Sequence, residues 1–119
     1  MSHALGTHVL AELCDVEPHV LRDSRGIEAA LVEAAREAGA TVLGAHLHSF
    51  GGAGGVTGVV LLAESHITIH TWPEFGTAAV DAFMCGRADA VRAVALIAMR
   101  MKARVARQSI HARGGRTAS

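Results

Sequence analysis

The sequence is poor in aromatic residues and has no excess of charge of either sign. Its 119 residues include three Phe, one Trp and no Tyr. Eleven basic residues balance eleven acidic ones, so no overall field favours nucleic acid or an anionic membrane as a partner. Half of the residues are apolar, which suits a packed core and argues against disorder. These values predict one globular domain over residues 1–119.

Long apolar runs are also absent, and proline and cysteine are rare. No run approaches the roughly 18 apolar residues that a membrane helix needs. The stretch 1–15 has no basic region and is interrupted by Glu12 and Asp15, so no signal peptide is expected. Two cysteines, Cys14 and Cys85, are too few for a disulfide scaffold. A cytoplasmic protein with free thiols is therefore expected.

The spacing of the apolar residues predicts the order β-α-β-β-β-β-α-β. Strands are expected over 7–16, 41–50, 56–64, 66–72, 77–86 and, at an edge, 105–112; helices are expected over 24–39 and 88–104. Ser24 is the expected N-cap of the first helix, and Gly39 its left-handed end. The second helix is expected to bury the side formed by Val91, Val94, Ala95, Ala98 and Met101.

Strands that follow one another through short turns favour an antiparallel sheet, and two amphipathic helices can cover only one of its faces. The fold class expected is therefore α+β, a two-layer α/β sandwich with both helices on one face of a mainly antiparallel sheet. The other face must be polar or must pair with a second sheet.

The stretch "LLAESHITIHTWPEF", residues 61–75, carries most of the reactive side chains. Strict alternation puts Ile67, Ile69 and Thr71 on one face of a strand, and the other face receives His66, Thr68, His70 and Trp72. Pro73 should end this strand, which leaves Glu74 in a turn.

Three interpretations of the polar face remain open from the residues alone. It is an ordinary solvent-exposed face, or a metal site, or a catalytic site. The catalytic site would use Ser65, His70 and Cys85, whereas the metal site would use His46, His48, His66 and His70. No paired cysteines and no H-x-x-x-H helix support a metal site, so no metal is expected.

The string E-S-H-x-x-x-H-T-W-P-E closely resembles the bacterial-type pyruvoyl-dependent S-adenosylmethionine decarboxylases. "VTGVV" precedes the string, and Cys85 follows Ser65 by twenty positions. The resemblance runs from "GTHVLAEL" through "GATVLGAHLHSF" to the cysteine, about three quarters of the chain. It implies a proenzyme that cuts itself between Glu64 and Ser65 into chains 1–64 and 65–119. Ser65 would become a covalent pyruvoyl group, the cofactor.

The resemblance also implies a role for particular residues. His70 would accept the proton in processing, the Thr57 hydroxyl would assist, and Cys85 would protonate the decarboxylated carbon. Phe50 and Trp72 match positions at the adenine, and Glu74 matches a carboxylate at the ribose. Glu12 matches an acidic position near the site, although a solvated edge charge explains it equally well. Phe83 is expected to pack in the core.

Ser65 and His70 are five residues apart, so on one straight strand their side chains point to opposite faces. A turn at Glu64–Ser65, where alternation lapses, is expected to remove this conflict. The resemblance further implies a homodimer in which two sheets stack and the site lies at their interface.

The implied reaction is decarboxylation of S-adenosylmethionine through a Schiff base to the pyruvoyl group, for spermidine biosynthesis. Two alternatives stay open. A pyruvoyl enzyme of the same fold could instead accept arginine or ornithine, since the chemistry needs only an α-amino acid. An uncut metal- or ligand-binding module is the alternative that is not an enzyme.

Overall fold

Six strands form one antiparallel sheet in the computed structural model, which describes residues 4–115. The strands are β1 (Gly6–Cys14), β2 (Val42–Ser49), β3 (Val56–Leu62), β4 (Ser65–Trp72), β5 (Thr77–Cys85) and β6 (Arg104–Arg113). Their order across the sheet is β2-β3-β4-β5-β1-β6, and every neighbouring pair is antiparallel. The predicted sheet and the edge position of the last strand are confirmed.

Within residues 4–115, three helices accompany the sheet: α1 (Pro18–Leu21), α2 (Ser24–Glu37) and α3 (Ala90–Arg100). The single turn α1 was not predicted, because four residues are too few for a helical period to show. None of the described helices has the length and hydropathy to span a membrane. Residues Pro73–Phe75 form a 3-10 turn, so Pro73 ends β4 as expected.

The expected N-cap of α2 is wrong by one residue. Asp23, not Ser24, is the cap, because its carboxylate accepts a hydrogen bond from the Gly26 backbone N–H at 3.0 Å. The predicted end of the helix is confirmed, since Gly39 has a φ of 93°, in the left-handed region that glycine adopts at little cost.

Helices α2 and α3 pack side by side over one face of the sheet and form the core with it. The predicted buried residues of α2 are confirmed: Ile27, Leu31, Ala34 and Ala35. The face predicted for α3 is wrong in part, because Val91 and Ala95 are exposed whereas Ala93 and Ile97 are buried. Apolar residues lie all around this helix, so the position of α2 beside it decides which of them are covered.

The core face of β4 is as predicted, with Ile67 and Ile69 fully buried. Thr71 lies beside them as a buried polar residue. Its hydroxyl donates a hydrogen bond to the carbonyl of Leu21 at 2.7 Å and accepts one from the backbone N–H of Val56 at 2.8 Å. One side chain therefore satisfies two buried backbone groups and ties the end of α1 to the sheet.

We expect Thr71→Val to lower the free energy of unfolding by about 2–4 kcal/mol, because two backbone groups are left without a partner in the core. Urea unfolding in a Ser65→Ala background, which lacks the hydroxyl needed for the expected cleavage, measures this change. Thr77→Val is the control, since it loses a hydroxyl that bonds the Phe75 carbonyl at the surface. Equal losses for the two variants would contradict the assignment.

Candidate active site

The register of the strands arranges the side chains of the helix-free face, here called the open face, in rows across the sheet. One row contains His48, Thr57, His70, Ala79 and Glu12, each paired with the next. Towards the opposite end of the sheet, Gly6 of β1 pairs with Cys85 of β5. The sequence-predicted site residues are therefore divided between two ends of the sheet, with Ser65 and Cys85 at one end and Thr57, His70 and Glu12 towards the other.

The first end holds the expected cleavage point. Leu62 pairs with Ser65, so β3 and β4 are joined by the two-residue turn Ala63–Glu64. Glu64 has a φ of 59°, a left-handed conformation that is uncommon and strained for a residue other than glycine. The Cys85 thiol donates a hydrogen bond to the Glu64 carbonyl oxygen at 3.3 Å. The peptide bond between Glu64 and Ser65 thus follows a residue with a strained backbone, and its carbonyl is polarised by the thiol.

Gly6 lets β1 run directly past the Cys85 thiol. A Cβ at position 6 would lie 2.9 Å from Cys85 Sγ and 2.6 Å from the Met84 carbonyl oxygen, closer than atoms approach without a shift. Beside the thiol, a cavity of about 340 Å³ is lined by Leu5, Glu64, Phe83, Cys85 and Gly86. Space for a small molecule is therefore available where Glu64 and Cys85 meet.

The second end groups Thr57 with His70. Thr57 Oγ1 lies 3.0 Å from His70 Nδ1, so the hydroxyl and the imidazole share a hydrogen bond. Glu12 and His70 both line a cavity of about 280 Å³. Glu12 therefore lies near His70, and its role in the site stays a prediction.

The residues expected to hold the nucleoside lie at this second end as well. Phe50 follows β2, and its ring meets that of His48 edge-on at a centroid distance of 4.7 Å. Trp72 ends β4 beside His70, with ring centroids 6.4 Å apart. Phe50 and Trp72 are 65% and 42% exposed, and Glu74 is exposed in the 3-10 turn. Two aromatic faces and a carboxylate are therefore free to bind a ligand.

The expectation that a turn brings Ser65 and His70 together is wrong within one chain. Ser65 is already the first paired residue of β4, and five residues of regular strand separate it from His70 by about 17 Å. A base must come within about 3 Å of the proton that it removes, or act through one water. His70 therefore cannot serve the Ser65 of its own chain in this fold.

A cluster of hydrogen bonds occupies the centre of the open face. Asp81 Oδ2 lies 2.6 Å from His8 Nε2 and 2.9 Å from His66 Nε2, and the Thr68 hydroxyl bonds the other carboxylate oxygen. Burial by itself would raise the pKa of the Asp81 carboxyl. The hydrogen bonds from Thr68, His8 and His66 outweigh it and hold that pKa below its ordinary value.

This cluster corrects two interpretations from the sequence. Phe83 is not a core residue, because its ring lies on the open face, 5.7 Å from the His8 ring and 5.9 Å from the His66 ring. Phe83 and Cys85 are two residues apart on β5 and so lie on the same face, which could have indicated this from the sequence. The side chain of His66 groups with those of His8 and Asp81 and not with the histidines of β2. His8 and Asp81 were not predicted as site residues.

Comparison with known proteins identifies the family. A family model described as S-adenosylmethionine decarboxylase matches residues 7–114. The chain belongs to the S-adenosylmethionine decarboxylase family. The resemblance noted in the sequence is thereby confirmed.

Curated relatives and a solved structure agree with this membership. An "S-adenosylmethionine decarboxylase proenzyme" of Thermodesulfovibrio yellowstonii is 51% identical over 84 residues, 71% of this chain and 62% of the relative. One of Caldicellulosiruptor saccharolyticus is 49% identical over 102 residues, 85% and 82% of the two chains. The match thus spans less than two thirds of the first relative. The crystal structure of the adenosylmethionine decarboxylase from Aquifex aeolicus has a TM-score of 0.86 and 37% identity, over 99% of this chain and 98% of that one.

Proposed function

We propose that the chain is a proenzyme that cuts itself before Ser65 and then decarboxylates S-adenosylmethionine. The observation that carries this proposal is the environment of one peptide bond. Among the residues of the cleavage motif, Glu64 has the strained backbone, and its carbonyl receives the hydrogen bond of Cys85. Strain and polarisation both favour attack on that carbonyl carbon.

These positions support a route for the proposed self-cleavage. The Ser65 hydroxyl attacks the carbonyl carbon of Glu64, which converts the amide into an ester, while the Cys85 thiol stabilises the negative charge on the oxygen. Removal of the Ser65 α-proton then expels Glu64 as a free carboxylate and leaves dehydroalanine. Water replaces the nitrogen of its imine tautomer, ammonia leaves, and a pyruvoyl group remains.

We further propose that the base for this elimination, His70, comes from a second copy of the chain. Two open faces that stack with their strands reversed put the His70 row of one copy over the Cys85 end of the other. Stacked sheets lie about 10 Å apart, a gap that side chains from both faces fill. The symmetry axis would pass near Asp81, midway between the two ends.

The same stacking brings the nucleoside-binding residues to the cleavage point.

The pyruvoyl group, once formed, supplies an electron sink for the carbanion that loss of carbon dioxide leaves behind. Cys85, beside position 65, would deliver a proton to that carbon, since an ordinary thiol is mostly protonated at neutral pH. The product would be decarboxylated S-adenosylmethionine, a precursor for spermidine biosynthesis.

The exposed side chains at the second end favour an adenosyl substrate over arginine or ornithine. Phe50 and Trp72 offer aromatic faces to an adenine ring and to a sulfonium charge, and Glu74 offers a carboxylate to ribose hydroxyls. An amino acid without a nucleoside would leave these groups unused. A cytoplasmic location stays a prediction from the sequence.

The intact mass of the folded, purified protein tests the proposal. We expect two chains, 1–64 ending in a free carboxylate and 65–119 lighter by one ammonia than a fragment that begins with serine. The second chain should react with a hydrazine reagent. One uncut chain without a reactive carbonyl would contradict self-cleavage and would favour a binding module.

Carboxyl-labelled substrates test the specificity separately. Release of labelled carbon dioxide from S-adenosylmethionine, and not from arginine or ornithine, is the expected result. A cut chain that releases carbon dioxide only from arginine or ornithine would leave the cleavage proposal intact and overturn the substrate.

A further inference from the structure

The Asp81 cluster takes no part in the steps proposed above, although its geometry is that of a ligand set. His8 Nε2, His66 Nε2 and an Asp81 oxygen all lie within 4.8 Å of one another. In a single chain their side chains are 16%, 35% and 21% exposed, so the group is partly shielded and is open on the side that the proposed second copy would cover. The Phe83 ring packs against both imidazoles.

We propose that His8, His66 and Asp81 form a binding site for a divalent transition metal ion of the zinc class. Two imidazoles and one carboxylate, with a position left for water, are a common zinc ligand set. With bonds of about 2.0–2.2 Å from an ion to the three atoms in tetrahedral geometry, the nitrogen–oxygen distances of 2.6 Å and 2.9 Å would widen by about 0.5–0.8 Å. This departs from the expectation of no metal drawn from the sequence.

The surroundings of the three side chains support coordination. Thr68 bonds Asp81 Oδ1, which fixes the carboxylate and leaves Oδ2 directed at both imidazoles. Hydrogen bonds of this kind orient metal ligands and contribute to affinity. The three ligands come from three adjacent strands, β1, β4 and β5, so the sheet holds them in place.

The position of the Arg113 guanidinium should disfavour metal binding, so Arg113 provides a specific test of the proposal. Its Nη1 lies 2.8 Å from His8 Nδ1, and because a guanidinium can only donate, Nδ1 is the acceptor and Nε2 carries the proton. An ion at Nε2 would replace that proton, and His8 would then carry its proton on Nδ1. Two donors would face each other, so the Arg113 side chain would have to turn away. Removing Arg113 should therefore strengthen metal binding.

The experiment is a titration of tag-free, chelator-treated protein with Co²⁺, followed by visible absorption, and with Zn²⁺, followed by calorimetry. We expect one ion per chain and the bands of four- or five-coordinate Co²⁺. His66→Ala and Asp81→Asn should each weaken binding by at least about tenfold. Arg113→Ala should tighten it by about tenfold, since a nearby positive charge is lost. His46→Ala, on the same face, and Cys85→Ala should leave it unchanged.

Nitrogen NMR of the wild-type histidines keeps the test independent of whether the variants fold. Zn²⁺ should shift the Nε2 signals of His8 and His66. No Co²⁺ bands at millimolar metal would overturn the proposal. Binding that survives His66→Ala and Asp81→Asn but is lost in Cys85→Ala or His46→Ala would overturn it as well.

Discussion

Ser65→Ala chains and His70→Ala chains, each unable to complete cleavage alone, are expected to yield pyruvoyl-containing protein when they fold together. In a mixed dimer the His70→Ala chain contributes an intact Ser65, and the Ser65→Ala chain contributes the missing imidazole. Random pairing puts about half of the His70→Ala chains into mixed dimers. Only those chains should be cut, and mass spectrometry of chains that carry different tags shows which were.

The reason is the distance of about 17 Å between Ser65 and His70 along one strand, which excludes proton transfer within a chain. Alone, His70→Ala should stop at the ester, which has the mass of the uncut chain but is cleaved by hydroxylamine. Normal processing of His70→Ala by itself would show that His70 is not the base.

A second mixture of variants tests whether Ser65 and Cys85 of the same chain act at one site. Ser65 and Cys85 lie at the same end of one chain, so Ser65→Ala mixed with Cys85→Ala provides no complete site. Decarboxylation by that mixture should not exceed the decarboxylation by Cys85→Ala alone. A gain there, or no cleavage in the Ser65→Ala and His70→Ala mixture, would show that the stacking proposed above is wrong.

Replacing Cys85 by Ala is expected to slow decarboxylation much more than cleavage. If the thiol delivers the proton to the decarboxylated carbon, its loss should lower turnover by about 10²–10⁴-fold. In cleavage the thiol donates only a weak hydrogen bond to the Glu64 carbonyl oxygen, so a slowing of about tenfold is expected there.

Two measurements separate the effect of Cys85→Ala on cleavage from its effect on decarboxylation. Cleavage is followed by intact mass after refolding, and turnover is measured as carbon dioxide released per reactive carbonyl. Cys14→Ala is the control, because it removes the other free thiol at the far end of β1 and should change neither rate. Turnover by Cys85→Ala at the wild-type rate would show that another group supplies the proton.

Local features of the fold could be read from the sequence because each depends on neighbouring residues. Alternation over 66–72 identified the buried face of β4, and Gly39 marked the end of α2 through a backbone angle that glycine favours. The motif around Ser65 indicated the family that the comparisons then confirmed. For α3 the same approach failed in part, since Val91 and Ala95 are as apolar as the residues that are buried.

The sequence by itself determined the six strands, the two longer helices and the family, since these follow from short-range periodicity and from one contiguous motif. Only the tertiary structure decided which residues meet. The pairing of β1 with β5 places Gly6 beside Cys85 and His8 beside Asp81, contacts between residues more than 70 positions apart. Such a register is set by the packing of the whole sheet under the helices, whereas the separation of Ser65 and His70 follows from the regular geometry of β4.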